Sequence, residues 1–282
     1  MSISAIVVTF NSEKYIANCL KALSEEIMTV HGEIILYDNN STDATVRVVE
    51  SEFPGIGIHR SPRNIGFASA CNAAANLAGN EYLLFANPDM IIDKGALKIL
   101  HGALISQTYA GAVVARMRNA DGSFQPTCRK LPDYRNILFS RGSVLRKEPA
   151  SDNSTEKYTL GDSGEIMEVP AASATCMLIR NDFFHKIDGF DERFFMFIED
   201  TDLCLRISQV GRKVYFVPQA GAVHYWGQGA VVSKIKRKWY HHISAWKYFL
   251  KHHPNGFSLF VLPIALLFNF ILTILTGLEK DK

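Results

Sequence analysis

The chain has 282 residues, 48% hydrophobic and 21% charged, which supplies enough apolar material for one large α/β domain, or a domain with an appended element, and excludes a disordered chain. A formal net charge of +2 conceals a basic cluster of Lys234, Lys236, Arg237, Lys238, Lys247 and Lys251, which points to a local anionic partner and not to a globally basic nucleic-acid binder. Five cysteines without a C-x-x-C pair imply neither a zinc site nor a disulfide framework, and fit a reducing compartment.

The chain opens on the β-branched run Ile3 to Thr9, with no charged start, apolar stretch or cleavage site of a secretory signal, so export is not expected. Tyr15, Ile16, Cys19, Leu20 and Leu23 then recur at helical spacing. Glu33 to Tyr37 predicts a second strand, closed by Asp38-Asn39-Asn40-Ser41-Thr42-Asp43, whose N-capping residues precede Val46, Val48 and Val49. Next come Gly55 to His59, the loop Ser61 to Gly66, a helix from about Ala68 to Ala78, and the strand Tyr82 to Ala86 ending at Asn87-Pro88-Asp89. Strand, polar loop and helix alternating at this pitch predict a mainly parallel sheet flanked by helices. Ligands in such sheets sit beyond the carboxyl ends of the strands, so the loops after Thr9, Tyr37, His59 and Ala86 carry the interest. Asp121 to Glu168 is weakly patterned and reads as a long substrate-loop region. Val169 to Arg180 predicts one strand, Asn181 to Ile187 a helix, and Lys213 to Val217 a strand stopped by Pro218.

Three places carry chemistry. Asp89, after a strand and a proline, sits where a hard cation meets a diphosphate, although turn aspartates after buried strands are common. Glu199, Asp200 and Asp202 follow the apolar run Phe194 to Ile198, and Arg206 lies four residues beyond Asp202. That segment reads equally as a charged helix start or as a catalytic constellation. His224 lies among aromatics and glycines and suits metal or phosphate contact, yet a lone histidine is more often structural.

In order, Val7 to Asn11, Asp38 to Asp43, Asn64 to Ala68 with Asn72, Asn87-Pro88-Asp89, Gly189 to Phe195, Glu199 to Arg206 and His224 resemble the family 2 glycosyltransferases of the GT-A fold. More narrowly they look like the rhamnosyltransferase branch, which builds bacterial surface polysaccharides. The resemblance covers roughly residues 1–230 and implies a Rossmann-like nucleotide-sugar-binding half (1–115) and an acceptor-binding and catalytic half (116–230). By it, Thr9, Phe10, Asn11, Asp38, Arg63, Asn64, Gly66, Asn72, Asn87 and Asp89 serve the donor, a dTDP- or UDP-sugar. Asp89 and His224 hold Mg²⁺ or Mn²⁺, and Asn87 departs from the first aspartate of the family's D-x-D element. Asp200 is the implied general base of an inverting displacement, with Glu199 beside it in the catalytic group. Asp202 orients the acceptor, a lipid-linked saccharide, or fixes the helix, and Trp226 offers the acceptor's sugar ring an apolar face.

Residues 231–282 add a basic, aromatic helix and a membrane-associating segment. Pro254 to Leu278 lacks any charge, and basic residues with aromatic rings beside it are the signature of a cytoplasmic membrane boundary. The contact with the membrane surface spans residues 234–278, at the cytoplasmic face of the bacterial inner membrane. Pro263 leaves a spanning and a surface-lying segment both open. Two other classes compete: a catalytically silent nucleotide-sugar or glycan-binding protein, favoured only by Asn87, and a sugar nucleotidyltransferase, whose Gly-rich triphosphate loop is absent after Thr9.

Overall fold

The computed structural model describes residues 1–134, 164–225, 227 and 232–276. Strand β1 (Ile3–Thr9) is buried on both faces, as its largely apolar run requires, and pairs in parallel with β2 (Glu33–Asp38) on one side and β4 (Tyr82–Ala86) on the other. Helices α1 (Ile16–Ile27), α2 (Thr45–Glu52) and α3 (Phe67–Ala75) make the crossovers, and β3 (Ile58–Arg60) extends the sheet beyond β2. With strand order β3-β2-β1-β4, the direction of winding reverses between β1 and β4. The loops after Thr9 and Ala86 therefore part at that point and leave a crevice.

The second half departs from the expected parallel pattern and is mixed. β5 (Met90–Ile92), α4 (Ala96–Ser106) and β6 (Ala110–Arg118) are followed by the short strands β7 (Phe124–Gln125) and β8 (Cys128–Arg129). The single strand expected over Val169 to Arg180 is three pieces, β9 (Met167–Val169), β10 (Ala171–Ala172) and β11 (Cys176–Arg180), because its residues serve two sheets. β11 runs antiparallel to β4 and β6, whereas β10 pairs with β8 outside the main sheet. Helices α5 (Asn181–Lys186) and α6 (Glu199–Gln209) lead into β12 (Lys213–His224), which does not stop at Pro218. A register shift between Val217 and Gly221 absorbs the proline, and the strand continues to pair with β6 and β5. A Cβ at Gly221 would displace the Asp93 carboxylate, which holds Arg118.

Two apolar layers cover the sheet, one built on α1 and α4 and one on α3 and α6. Each fully buried Leu or Ile in them contributes about 2 kcal/mol. A third cluster joins Phe194 and Ile198 to Ala245, Tyr248 and Phe249 of α7 (Lys234–His252) and to Leu262 and Leu266 of α8 (Leu262–Thr276). The apolar run before the acidic residues is thus covered by the protein's own C-terminal helices.

Between α7 and α8 lies one π-helical turn, Phe257–Val261. Pro263 has no N–H to continue it onto the Ser258 carbonyl, and the Trp246 indole N–H donates to that oxygen instead, at 3.1 Å. Among the described residues, Phe257–Leu275 is the one helix long and apolar enough to cross a membrane, with a mean hydropathy of 2.5. Leu262, Leu266, Asn269 and Thr273 face inward, and Asn269 meets His242 of α7 at 3.1 Å. Phe260, Ile264, Phe268 and Ile271 face out.

Candidate active site

The loops at the crevice are tied together before any ligand arrives. The Thr9 hydroxyl donates to Asp38 Oδ1 (3.0 Å), the Ser41 amide to Asp38 Oδ2 (3.0 Å), and both Thr9 and Asp38 are fully buried. They form the floor of the loop, and its open side is left to Phe10, Asn11, Arg60 and Arg63. Asn11, in a left-handed conformation (φ 53°), accepts from the Thr42 amide through Oδ1 (2.7 Å) and so joins the loops after β1 and β2. Asn64 accepts from Asn39 and from the Gly66 amide, which closes the turn below Arg63. Gly66 (φ 88°) admits nothing larger, because a Cβ would meet the Phe195 carbonyl at 2.6 Å. The Phe67 amide donates to that same carbonyl, so the nucleotide-side loop and the acidic segment share one backbone contact.

Asn72, expected among the donor contacts, does something else. Its amide accepts from the Phe190 N–H (2.9 Å) and donates to the Phe190 carbonyl (2.8 Å), which uses both ends to hold the Gly189–Asp191 turn. Asn87 donates its backbone N–H to the Thr175 carbonyl at 3.0 Å.

Asp89 and His224 arrive from opposite directions. The Tyr225 N–H donates to the Asp89 carbonyl and His224 pairs with Met90, so the β12 bulge decides that the two side chains meet. His224 Nε2 lies 3.3 Å from Asp89 Oδ1, and the two residues are 5% and 3% exposed. That separation is long for a charge-assisted hydrogen bond, and a carboxylate beside an imidazole nitrogen is a donor set suited to a divalent cation. Among the described residues no group of three or more His, Cys, Asp or Glu side chains gathers around one point. The residues fit a cation whose remaining ligands come from elsewhere, as the diphosphate of a donor supplies them.

The acidic segment divides sharply. Phe197 and Ile198 both have φ near 70°, and a β-branched residue there is strained; the strain sits at the first turn of α6. Asp200 takes the Arg129 guanidinium, the Thr201 amide (2.7 Å) and the Thr201 hydroxyl (3.2 Å), all on Oδ1. Its other oxygen has no hydrogen bond to a described residue. Glu199 is 7% exposed and its Oε2 has no hydrogen-bond partner among the described residues. Burial, aided by the Asp200 charge, pushes its carboxyl up to about 8. Of the two neighbouring carboxyls, Glu199 is thus the one whose burial favours the protonated form, while Asp200 has the Arg129 guanidinium on it.

Asp202 is fully buried and faces the C-terminal helices. It accepts from Arg206 Nε (2.8 Å), Lys251 Nζ (2.6 Å) and His252 Nε2 (2.7 Å), and Lys251 also reaches Asp191 (2.7 Å). Burial works to raise its pKa, but the hydrogen bonds from His252 and Lys251 and the Arg206 charge prevail and lower it. Both oxygens are engaged and the side chain is fully buried, so of the two roles expected of Asp202 these contacts fit the one that fixes the helix, as an anchor between α6 and α7. Trp226 lies outside the described residues.

A model of the family described as "Glycosyl transferase family 2" matches residues 4–188 of this chain. The chain belongs to glycosyl transferase family 2. Within that family it is 28% identical over 235 residues to the N-acetylglucosaminyl-diphospho-decaprenol L-rhamnosyltransferase of Mycobacterium tuberculosis, with 79% of this chain and 76% of the relative covered. It is 27% identical over 227 residues to the rhamnosyltransferase WbbL of Escherichia coli, covering 78% of this chain and 82% of that one. Among solved structures, TarS 1-349 of Staphylococcus aureus superposes with a TM-score of 0.56 at 22% identity, over 97% of this chain and 81% of that one. The Pyrobaculum calidifontis mannosyltransferase PcManGT, in complex with GDP-Man and Mn²⁺, gives 0.58 at 17% identity over 99% and 76%. These likenesses establish the GT-A fold, and family membership with rhamnosyltransferase relatives makes the chain a glycosyltransferase.

Two residues that contact the candidate site escaped the sequence. Arg129 and Gln125 lie in the weakly patterned region, on two-residue strands too short for any periodicity to mark. Only the fold brings Arg129 to Asp200 and Gln125 to His224.

Proposed function

We propose that the protein is an inverting glycosyltransferase that moves L-rhamnose from dTDP-rhamnose to a lipid-linked saccharide at the cytoplasmic face of a bacterial membrane, in cell-surface polysaccharide synthesis. The observation that carries the chemistry is the division of labour between Asp200 and Glu199. An acceptor hydroxyl is a poor nucleophile at neutral pH and needs an ionised carboxylate within hydrogen-bond reach. Asp200 offers that: Arg129 keeps Oδ1 occupied and the charge in place, and Oδ2 takes the hydroxyl proton as the oxygen attacks the anomeric carbon. The nucleoside diphosphate leaves from the opposite face, and one displacement inverts the centre. Glu199, holding its proton, adds no second charge that would repel the acceptor oxygen.

On the donor side, Phe10, Asn11, Arg63 and Asn64 line the nucleotide loops and Thr9 and Asp38 brace them from below. Asp89 and His224 would hold a divalent cation, which would supply Lewis-acid stabilisation of the charge that develops on the diphosphate. The choice of rhamnose and of a lipid-linked acceptor follows the printed names of the two rhamnosyltransferase relatives. The membrane reading is supported by the outward apolar face of α8 beside the basic residues of α7. With its other face seated on α7 through the Asn269–His242 hydrogen bond, α8 is suited to lying along the surface.

The test is release of nucleoside diphosphate from dTDP-, UDP- and GDP-sugars, with and without Mn²⁺ or Mg²⁺ and with membrane extract as acceptor source. Release from dTDP-rhamnose alone, dependent on cation and extract, is the expected result. Release from a different donor overturns the sugar assignment, and binding of a donor without release overturns the transferase mechanism.

A further inference from the structure

We infer that the turn between β6 and β7 is a hydrogen-bond relay, Asp121–Ser123–Asn119–Gln125, whose polarity fixes the proton of His224 on Nδ1 and so presents a bare Nε2 to the cation site. The inference rests on the reading of Asp89 and His224 as cation ligands and adds residues to it that the sequence motifs do not point to.

Each link in the relay has a direction. The Asp121 carboxylate only accepts, and the Ser123 hydroxyl lies 2.6 Å from its Oδ1, so the hydroxyl proton is committed there. The Ser123 oxygen can then only accept from Asn119 Nδ2, at 2.9 Å. With its amide oriented in this way, Asn119 Oδ1 accepts from Gln125 Nε2 at 2.7 Å. A second anchor agrees: the same Gln125 Nε2 lies 3.2 Å from the His224 carbonyl, which is an acceptor whatever the rest of the network does. Gln125 Oε1 is left as the acceptor for His224 Nδ1, at 2.6 Å, and that nitrogen must carry the hydrogen. In the neutral ring Nε2 is then a lone pair, and it points at Asp89 Oδ1 3.3 Å away. Two acceptors facing each other across that gap, each less than one-tenth exposed, is an arrangement that a cation completes.

Backbone geometry supports the turn itself. The Gly122 N–H donates to the Asn119 carbonyl (2.9 Å), the Asn119 N–H to the Ser123 carbonyl (2.8 Å), and Gly122 has φ 84°. Gln125 sits opposite Met117 in the register, 6% exposed, which turns its amide toward His224 on the neighbouring strand. Gln125 and its supports are thus positioning residues, acting on the cation through His224.

The experiment uses the full chain free of donor, with two readouts. Long-range ¹H–¹⁵N NMR of histidine-labelled protein without metal reports the His224 tautomer, and Mn²⁺ titration followed by electron paramagnetic resonance reports cation affinity. The expected result is a protonated Nδ1 and bare Nε2 in the native protein. Gln125→Leu is expected to lose this preference and about 10- to 100-fold in Mn²⁺ affinity, and Gln125→Glu, which keeps an acceptor for Nδ1, to retain both. A hydrogen on Nε2 in the native protein overturns the proposal, and this reading needs no variant, so a poorly folded Gln125→Leu does not shelter it. If His224→Ala weakens Mn²⁺ binding and Gln125→Leu does not, the cation site stands and the relay alone falls. If neither variant changes Mn²⁺ affinity, His224 is no ligand and the proposal falls with that reading.

Discussion

The molecule has two buried aspartate–histidine pairs, and they are built differently. Asp202 meets His252 at 2.7 Å and has Arg206 and Lys251 on it as well, so its charge is fully balanced by groups that come with the fold. Asp89 meets His224 at 3.3 Å, with the opposite ring nitrogen already turned toward Gln125. Sequence neighbours do not distinguish the two carboxylates. Their surroundings do: a carboxylate surrounded by protein cations holds helices together, whereas one facing a second acceptor is set up for a ligand. Asp200 stands between these extremes, with one oxygen held by Arg129 and Thr201 and the other unengaged among the described residues.

The comparison is open to attack in four ways. Asp200→Asn, which keeps the shape and removes the base, is expected to lower kcat by about 10³-fold while donor binding measured by calorimetry stays within about twofold. Normal turnover in this variant removes the base assignment. Asp202→Ala leaves Arg206, Lys251 and His252 around an uncompensated site and is expected to lower unfolding free energy by about 3–5 kcal/mol in urea titrations. A loss below about 1 kcal/mol would show that the α6–α7 anchor lies elsewhere.

Asp89→Ala is expected to behave in the opposite way, with stability changed by less than about 1 kcal/mol and cation-dependent donor affinity lowered on the order of 10- to 100-fold. Equal donor affinity with and without Mn²⁺ in the native protein would collapse the contrast between the two pairs. The fourth concerns the pH dependence that Glu199 confers. Its folded value, about 8, lies above the 4.5 of a free carboxyl, so between those values the folded protein holds a proton that the unfolded chain has lost. Stability therefore falls as pH rises through that window, by at most about 1.4 kcal/mol per unit from this group, and Glu199→Gln is expected to remove that share of the slope. Chemical denaturation at pH 5, 6, 7 and 8 measures it; an unchanged slope in the variant would mean that Glu199 is ionised throughout.

Much of this architecture is legible in the residues alone. The runs Ile3–Thr9 and Tyr82–Ala86 are largely apolar and announce buried parallel strands, and Asn87-Pro88-Asp89 marks a strand end of the kind where ligands bind. The acidic trio was visible as a cluster, and so was the basic, aromatic helix before an uncharged stretch. What local pattern conveys is period and punctuation, and these elements are long enough to have both.

Partnership is different, because it joins residues far apart in the chain. That Asp202 is an anchor follows from Lys251 and His252, about fifty positions away. Asp200 acquires Arg129 because the two-residue pairing of β8 with β10 brings that strand to α6. His224 reaches Asp89 because a bulge carries β12 through Pro218, where local rules end the strand. The sequence by itself determined the α/β layering and nominated the acidic groups and the histidine. Only the tertiary structure decided which protein groups each of them meets, since desolvation and pairing depend on distance in space, and no local pattern encodes that.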